Sequence, residues 1–364
     1  MKIAYITLHW PRTAASGVGK KIIQQTEEWR RNGHEVRYFS HLHSTNDEEK
    51  LVEGEQFYFS EGKGIIQREL GRIIAAKKLL KSVKNYAPDI IYLRWGMYTA
   101  PMRRIFSIAP VVLEINTNDK KEHQRLGVAL DFYNRLSRSI FLRSTEGIIF
   151  PSRELAKDPA FVNCRKKFEV IANGINLKSL PYYPAPENKA PRLIFLGTPG
   201  MAWHGLEELF RFAELNHDIT IDIVGSDLND INNPIPSNVF LHGYLEDSAF
   251  EKILMLADAA IGSISLHLIG MEEASPLKTR DCAGRGIPCI LPYTDTDLSG
   301  IQCEAILQIP NVPGNLTSYS KIVHDFIFDM RGKRIAREEI AEAINIAEKE
   351  CKRLTFFQQI IDQT

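Results

Sequence analysis

Residues 1–40 read MKIAYITLHWPRTAASGVGKKIIQQTEEWRRNGHEVRYFS, and this stretch decides the fold class. Lys2–Leu8 is a short apolar, β-branched run of the strand type. A glycine-containing loop follows. From about Val18 to Arg31 the residues suit a helix, and Asn32-Gly33 is the natural stop for one. Val36–Ser40 is strand-like again. A strand, a helix and a strand in succession make a βαβ unit, whose strands pair in parallel because the helix carries the chain back. The alternation continues with strands at Asp89–Leu93, Val111–Ile115, Gly147–Pro151 and Phe168–Ile171, and a long helical segment precedes the first of these.

Leu180–Pro191 interrupts the pattern with four prolines and several polar residues, the composition of a linker. Beyond it the alternation restarts. Strands are expected at Arg192–Leu196, Ile219–Val224, Asn238–Leu241, Ala259–Ile264 and Pro288–Leu291. Helices are expected from about Gly205 to Leu215 and over Asp247–Ala257, and the tail from Ser318 is helical and charged. The expected fold is therefore α/β, two Rossmann-like doubly wound domains facing across a cleft. The expected domains are residues 1–183, residues 184–345, and a C-terminal helix over 346–364 that crosses back to the first. Ligands of such sheets bind outside the carboxyl ends of the strands.

Composition narrows the function. The 45 basic and 45 acidic residues cancel, which argues against a nucleic-acid binder with its large basic excess. No apolar run approaches the roughly 18–20 residues that span a bilayer. The N-terminal apolar run is short and lacks a small-residue cleavage site, so it reads as a strand and not as a signal peptide. The five cysteines form no C-x-x-C pair, as expected of free thiols in a reducing cytoplasm.

The stretch that carries chemistry is Gly270–Leu298, GMEEASPLKTRDCAGRGIPCILPYTDTDL. Ser275 is a good N-cap and Pro276 suits a first helical position. Helix-compatible residues run to Arg285, and Gly286 is a natural stop. A helix thus starts behind a carboxylate-rich loop, and its unpaired N–H groups and positive dipole end favour a phosphate. Leu277, Lys278 and Asp281 lie near one another at helical spacing, with Glu273 just before them. The plain alternative is a capped helix with solvated charges.

Glu273, seven residues, Asp281, then Gly286, Pro288, Cys289 and Ile290 resemble the E-x7-E segment of the retaining GT-B enzymes of glycosyltransferase family 4. That segment usually runs E-G-F-G-x-x-x-x-E-A-M-A-x-G-x-P-V-I. Gly17-Val18-Gly19 resembles the family's Gly-rich loop, Gly33-His34-Glu35-Val36 its G-H-E-V segment, and Val170–Asn176 (VIANGIN) its V-I-P-N-G-V-D segment. SPLK followed by PYTDTDL is similar to a bacterial branch associated with cell-surface polysaccharides.

The resemblance implies transfer of a sugar from a nucleoside-diphosphate sugar to a glycan or lipid-linked acceptor hydroxyl, with retention of configuration and no further cofactor. It implies that Glu273 contacts the donor sugar and that Asp281 holds the ribose. Backbone N–H groups around Ser275, Leu277 and Lys278 would bind the diphosphate. Gly243-Tyr244 resembles the turn beside the base. Where the family has Arg after the first glycine of its second domain and Lys before a later one, this chain has Thr198 after Gly197 and His204 before Gly205. Lys278 is the expected replacement for those cations, and Arg280 the nearest competitor. Asn116 stands where the family has a His near the donor sugar. Arg94, which follows the strand Asp89–Leu93, suits an anionic acceptor or a structural ion pair equally. The same resemblance leaves open an epimerase or phosphorylase of similar fold, or a sugar-nucleotide binder without catalysis. No metal site is expected: the one D-x-D triplet, Asp295-Thr296-Asp297, lies outside an obvious nucleotide pocket. Lys77, Lys81 and Lys84 would share a helix face, which fits a plain solvated face or weak docking of a cytoplasmic protein to anionic lipid at the inner membrane face.

Overall fold

The computed structural model describes residues 1–8, 17–43, 54–59, 64–120, 127–164, 166–227 and 234–364. The chain forms two compact units, Met1–Ile171 with Lys349–Thr364, and Ala172–Glu348. The strands of the first unit are β1 (Lys2–Thr7), β2 (Glu35–His43), β3 (Gly54–Phe59), β4 (Ile90–Arg94), β5 (Val111–Glu114), β6 (Gly147–Phe150) and β7 (Lys167–Val170). Those of the second are β8 (Arg192–Leu196), β9 (Thr220–Val224), β10 (Val239–Leu241), β11 (Ala259–Ile261), β12 (Glu273–Ala274), β13 (Cys289–Leu291), β14 (Thr294–Asp295) and β15 (Ile306–Gln308). The helices are α1 (Gly17–Arg31), α2 (Ile65–Tyr86), α3 (Val128–Ser144), α4 (Arg153–Lys157), α5 (Leu206–Leu215), α6 (Asp247–Met255), α7 (Leu277–Gly284), α8 (Asn315–Ser318), α9 (Ser320–Asp329), α10 (Arg337–Ile344) and α11 (Ile346–Ile361).

The first unit is a parallel sheet of order β3-β2-β1-β4-β5-β6-β7. Its strands are buried on both faces, so they read as continuous apolar runs. Right-handed crossovers place helices moving left and right along the sheet on opposite faces. Ile22 and Trp29 of α1 pack with Leu354, Phe356, Phe357 and Ile360 of α11 on one face. Leu79 and Val83 of α2, Ile105 of the 3-10 turn Ala100–Ser107, and Phe141 of α3 form a core with Ile91, Leu93 and Leu113 on the other. The last helix therefore belongs to the first unit from Lys349 onward.

The second unit repeats the plan with order β10-β9-β8-β11-β13-β15, and a separate parallel pair β12–β14. Phe195, Phe212, Ile221 and Ile327 fill one side of the sheet. Ile194, Ala283, Leu291 and Ile340 fill the other.

Three details differ from the sequence reading. The unit boundary falls at Ile171/Ala172, ahead of the proline-rich stretch. That stretch is fastened to the second unit: Tyr183 is buried, its N–H donates to Arg285 O at 3.0 Å, and the Tyr182 hydroxyl donates to Ile335 O at 3.0 Å. Composition marks a linker, but two tyrosines anchor it. Second, β3 and β15 were not expected. Both are sheet edges, and a short run paired on one side carries a weak hydrophobic signal. Third, the cap of α7 is Pro276 and not Ser275. The β12–β14 pair holds the chain extended through Ala274, and Ser275 is taken up by Asn173, whose N–H and Nδ2 reach its Oγ at 3.4 Å and its carbonyl at 2.7 Å.

Candidate functional site

In the second unit the turns after β8, β9 and β10 lie side by side. The Gly197 N–H donates to Val224 O at 2.8 Å. The Gly225 N–H donates to Gly243 O at 2.7 Å, and the Gly243 N–H to Ser226 O at 3.1 Å. Gly225 sits at φ 97°, where a Cβ would strike the carbonyl oxygen of Gly197. Only glycine allows this close approach. The turns after β8 and β9 and the loop after β11 border an open cleft of about 580 Å³, lined by Thr198, Gly200, Met201, His204, Ser226, Ser265 and His267 among others. Such a volume suits a nucleotide-sized ligand. Thr198 and His204 line this cleft, while Gly197 and Gly243 belong to the row of turns and not to its lining. Tyr244 is 83 % exposed and points into solvent.

His204 is buried, and its Nδ1 accepts the Thr198 N–H at 3.2 Å. Burial, then the nearby Lys278 charge, pushes the imidazole down to about 3. It is therefore neutral at physiological pH and cannot serve as the missing phosphate cation. Gly205 follows it at φ 71°, and a Cβ there would lie 2.6 Å from Ser265 Oγ.

Lys278, in the first turn of α7, donates from Nζ to Leu196 O at 2.9 Å and lies 4.4 Å from the centre of the Phe195 ring. It lines a small void with Thr279, Cys282 and Cys289, and does not line the open cleft. Burial pushes its amine down to about 7. Among the described residues it has no carboxylate partner. Glu273 is buried at the start of β12 and also lies off the cleft lining. Asp281 accepts from Arg285 Nε at 3.1 Å, and Arg285 in turn reaches Glu251 at 2.7 Å. Leu277 opens α7, and the N–H groups of its first turn precede the 3.4 Å bond from Arg280 N to Pro276 O.

Arg280 is wholly buried. It clasps Asp295 through two bonds of 2.8 and 2.9 Å and reaches Asp297 at 3.0 Å. The carboxylates of the D-x-D triplet are thus held by a guanidinium fork.

In the first unit, Asn116 follows β5. Its Oδ1 accepts from Lys21 Nζ at 3.2 Å, so the amide presents Nδ2 as a donor. Lys21 also binds Glu114 at 2.6 Å, and Arg94 binds the other oxygen of Glu114 at 2.9 Å. Burial pushes Glu114 up, but Lys21 and Arg94 overcome it and hold the carboxyl well below its usual range. Burial brings Lys21 down to about 8 against the pull of Glu114. Arg94 is thus an ion-pair residue. Gly17 and Gly19 form the first turn of α1, with Gly19 buried. The rest of the Gly-rich loop, 9–16, lies outside the described residues.

Sequence reading missed Ser226, Ser265 and Lys21. Ser226 follows Gly225 at the end of β9, and strand ends are where ligands bind, so position alone could have flagged it. Lys21 and Asn116 meet only through the sheet.

Two open parallel α/β units of this kind define the GT-B architecture of glycosyltransferases. Residues 15–179 match the family model described as Glycosyltransferase Family 4. Comparison with curated proteins finds no match. Among solved structures the chain is similar to sucrose-phosphate synthase from Thermosynechococcus elongatus, with a TM-score of 0.74, 14% identity and full coverage of both chains. It is also similar to Anabaena HepE in complex with UDP and glucose (TM-score 0.66, 13% identity, 99% of this chain and 100% of that one). The lipopolysaccharide outer core galactosyltransferase WaaB in its apo form gives a TM-score of 0.66 at 12% identity, over 99% and 100%.

Proposed function

We propose that this chain transfers a sugar from a nucleoside-diphosphate sugar to a hydroxyl of a glycan or glycolipid, with retention of configuration, in the synthesis of cell-surface polysaccharide. The observation that carries the reading is the row of glycine turns at Gly197, Gly225 and Gly243 beside an open cleft at the strand ends of the second unit. The family match over 15–179 and the HepE structure that holds UDP and glucose support it.

Negative charge builds on the diphosphate as the glycosidic bond breaks, so stabilisation there lowers the barrier most. We assign that role to the first-turn N–H groups of α7, with Lys278, set back from the cleft on Leu196 O, adding its charge from the same turn. Glu273 orients the donor sugar, and Asn116 Nδ2 donates to a sugar hydroxyl. The reaction proceeds without a metal, a reading supported by the Arg280 clasp on Asp295 and Asp297. Among the described residues no helix is long and apolar enough to cross a membrane. We place the protein in the cytoplasm, touching the inner membrane face through the basic side of α2.

The test has two stages. A thermal-shift screen of nucleotide sugars finds the donor, and labelled donor with acceptor then yields a glycoside of retained configuration. Free epimer or sugar phosphate as the product would replace this reading. Glu273→Gln is expected to lower turnover at least about tenfold, or 1.4 kcal/mol, with folding unchanged. Full activity in that variant removes Glu273 from the mechanism.

A further inference from the structure

Two helices on one face of the first unit leave apolar side chains in solvent. On α2 they are Ile66, Leu70 and Ile74, and on α3 they are Val128, Phe132 and Leu136. Each is more than half exposed, and each set has the spacing i, i+4, i+8. At 100° per residue such a set spans about 80° of a helix, a single outward stripe. Lone exposed apolar residues are ordinary, but two parallel stripes on one face are not.

The two helices belong together. Both pack on the same side of the sheet with the 3-10 turn Ala100–Ser107, and share the core around Ile105 and Phe141. Arg72 Nη2 of α2 donates to Thr99 Oγ1 at 3.1 Å, and the Tyr133 hydroxyl of α3 donates to Tyr98 O at 2.8 Å. Arg72 and Glu69 also act electrostatically on Tyr133, so the helices are neighbours across that turn.

Charge on this face is one-sided. These three segments carry eleven Lys and Arg against two acids, and nine remain on the face once buried Arg72 and Arg138 are set aside, in a chain whose charges cancel overall. The acids, Glu69 and Asp131, are already paired with Arg72 and Arg135 of their own helices. Lys77 and Lys81 continue the α2 stripe toward its C-terminus, and Arg143 continues the α3 stripe. Arg103 and Arg104 are exposed between the helices. Each stripe is therefore apolar in its N-terminal half and cationic in its C-terminal half. An apolar protein partner would account for the first half but not the second, and a nucleic acid the reverse. A surface with both a hydrocarbon interior and anionic headgroups accounts for both.

We propose that the α2–α3 face docks onto anionic lipid, with Ile66, Leu70, Ile74, Val128, Phe132 and Leu136 inserted at the acyl boundary and Lys77, Lys81, Arg103, Arg104 and Arg143 on the headgroups. This rests on the membrane contact suggested above and changes its character. Insertion, and not charge alone, holds the protein, so salt weakens the contact without abolishing it. Helices of a parallel sheet run antiparallel to their strands, so the apolar halves lie toward the strand carboxyl ends, where a ligand binds. A lipid-linked acceptor would meet the protein at that edge.

The test is co-sedimentation of the full chain with vesicles of phosphatidylcholine alone or with about one third phosphatidylglycerol. It needs no donor or turnover, so its failure is distinct from failure of the transferase reading. Wild type is expected to sediment with the anionic vesicles and to be retained in part at high salt. The pair Phe132→Ser with Leu136→Ser, and separately Lys77→Ala with Lys81→Ala, should each lower partitioning about tenfold or more. Because these positions are exposed, unchanged thermal unfolding confirms the fold. Absent binding of wild type, or variants that bind equally, overturns the proposal. So does concentration-dependent dimerisation lost with the Phe132 and Leu136 pair, which would assign the face to a second copy. Complete release by salt would leave only surface attraction and overturn the insertion.

Discussion

Lys278 is a half-buried residue whose amine, with a carbonyl and an aromatic face for company, is pushed down to about 7. Its ordinary value of 10.5 falls to about 7 in the fold. The folded state thus binds fewer protons than the unfolded chain between those values. Its contribution to stability accordingly rises with pH through that window and is least favourable below about pH 7. A bound diphosphate reverses the balance by favouring the ammonium, so ligand binding near pH 8 should take up a proton. Calorimetry in buffers of different ionisation enthalpy reads this directly. Proton uptake is expected in wild type and absent in Lys278→Met, with affinity falling as pH rises; His204, neutral throughout, does not contribute. Identical buffer dependence in both proteins would return the phosphate to the helix N–H groups alone. Arg280 offers no clean comparison, because its removal strands Asp295 in a buried site. Arg280→Ala should cost about 3–5 kcal/mol of stability in chemical denaturation. The sequence placed Arg280 as a rival for phosphate because helical spacing shows direction around an axis, not which partner waits there.

At the scale of elements, α11 seals the first unit. Phe357 meets Trp29 and Tyr92 at ring-centre distances of 5.5 and 5.2 Å. Glu350 accepts from Trp29 Nε1 at 2.7 Å and pairs with Arg353, whose Nε reaches the Tyr92 hydroxyl at 3.2 Å. The contact is both apolar and charged, and all its polar groups are inside. Phe357→Ala should therefore destabilise the first unit by about 3–5 kcal/mol, measured by urea denaturation followed through tryptophan fluorescence. A loss under about 1 kcal/mol would show the helix to be dispensable. Much at this scale was legible from pattern. The strands β1, β4, β5, β8 and β9 stand out as apolar runs because parallel strands are buried on both faces. The β12–β14 pair was not legible, since two residues on each side carry no periodicity.

For the whole molecule, each unit has its own core and sheet, and the open cleft proposed to take the nucleotide is lined by the second alone. A nucleoside diphosphate should raise the melting of that unit and leave the first unchanged. At a hundred times Kd the gain is about 2.7 kcal/mol, or roughly 5–10 °C for a unit of this size. Differential scanning calorimetry with and without ligand checks this. A uniform shift of both transitions would mean that ligand binding involves the first unit as well.

The sequence alone determined the α/β class, the doubled plan and most strand positions, because these follow from the period of apolar residues along the chain. It also marked Gly197, Thr198, His204 and Gly243 as lying at strand ends, where a ligand can approach backbone. Tertiary structure alone decided which charges are spent. Asp281 on Arg285, Arg280 on Asp295, and Lys21 on Glu114 and Asn116 are pairings set by side-chain direction and by strands far apart in sequence. It alone decided that His204 is neutral, since a histidine's charge depends on its burial. The two apolar stripes, too, became visible only when packing showed which face of α2 and α3 was already buried. A sequence marks a residue as apolar, but only the fold shows whether anything covers it.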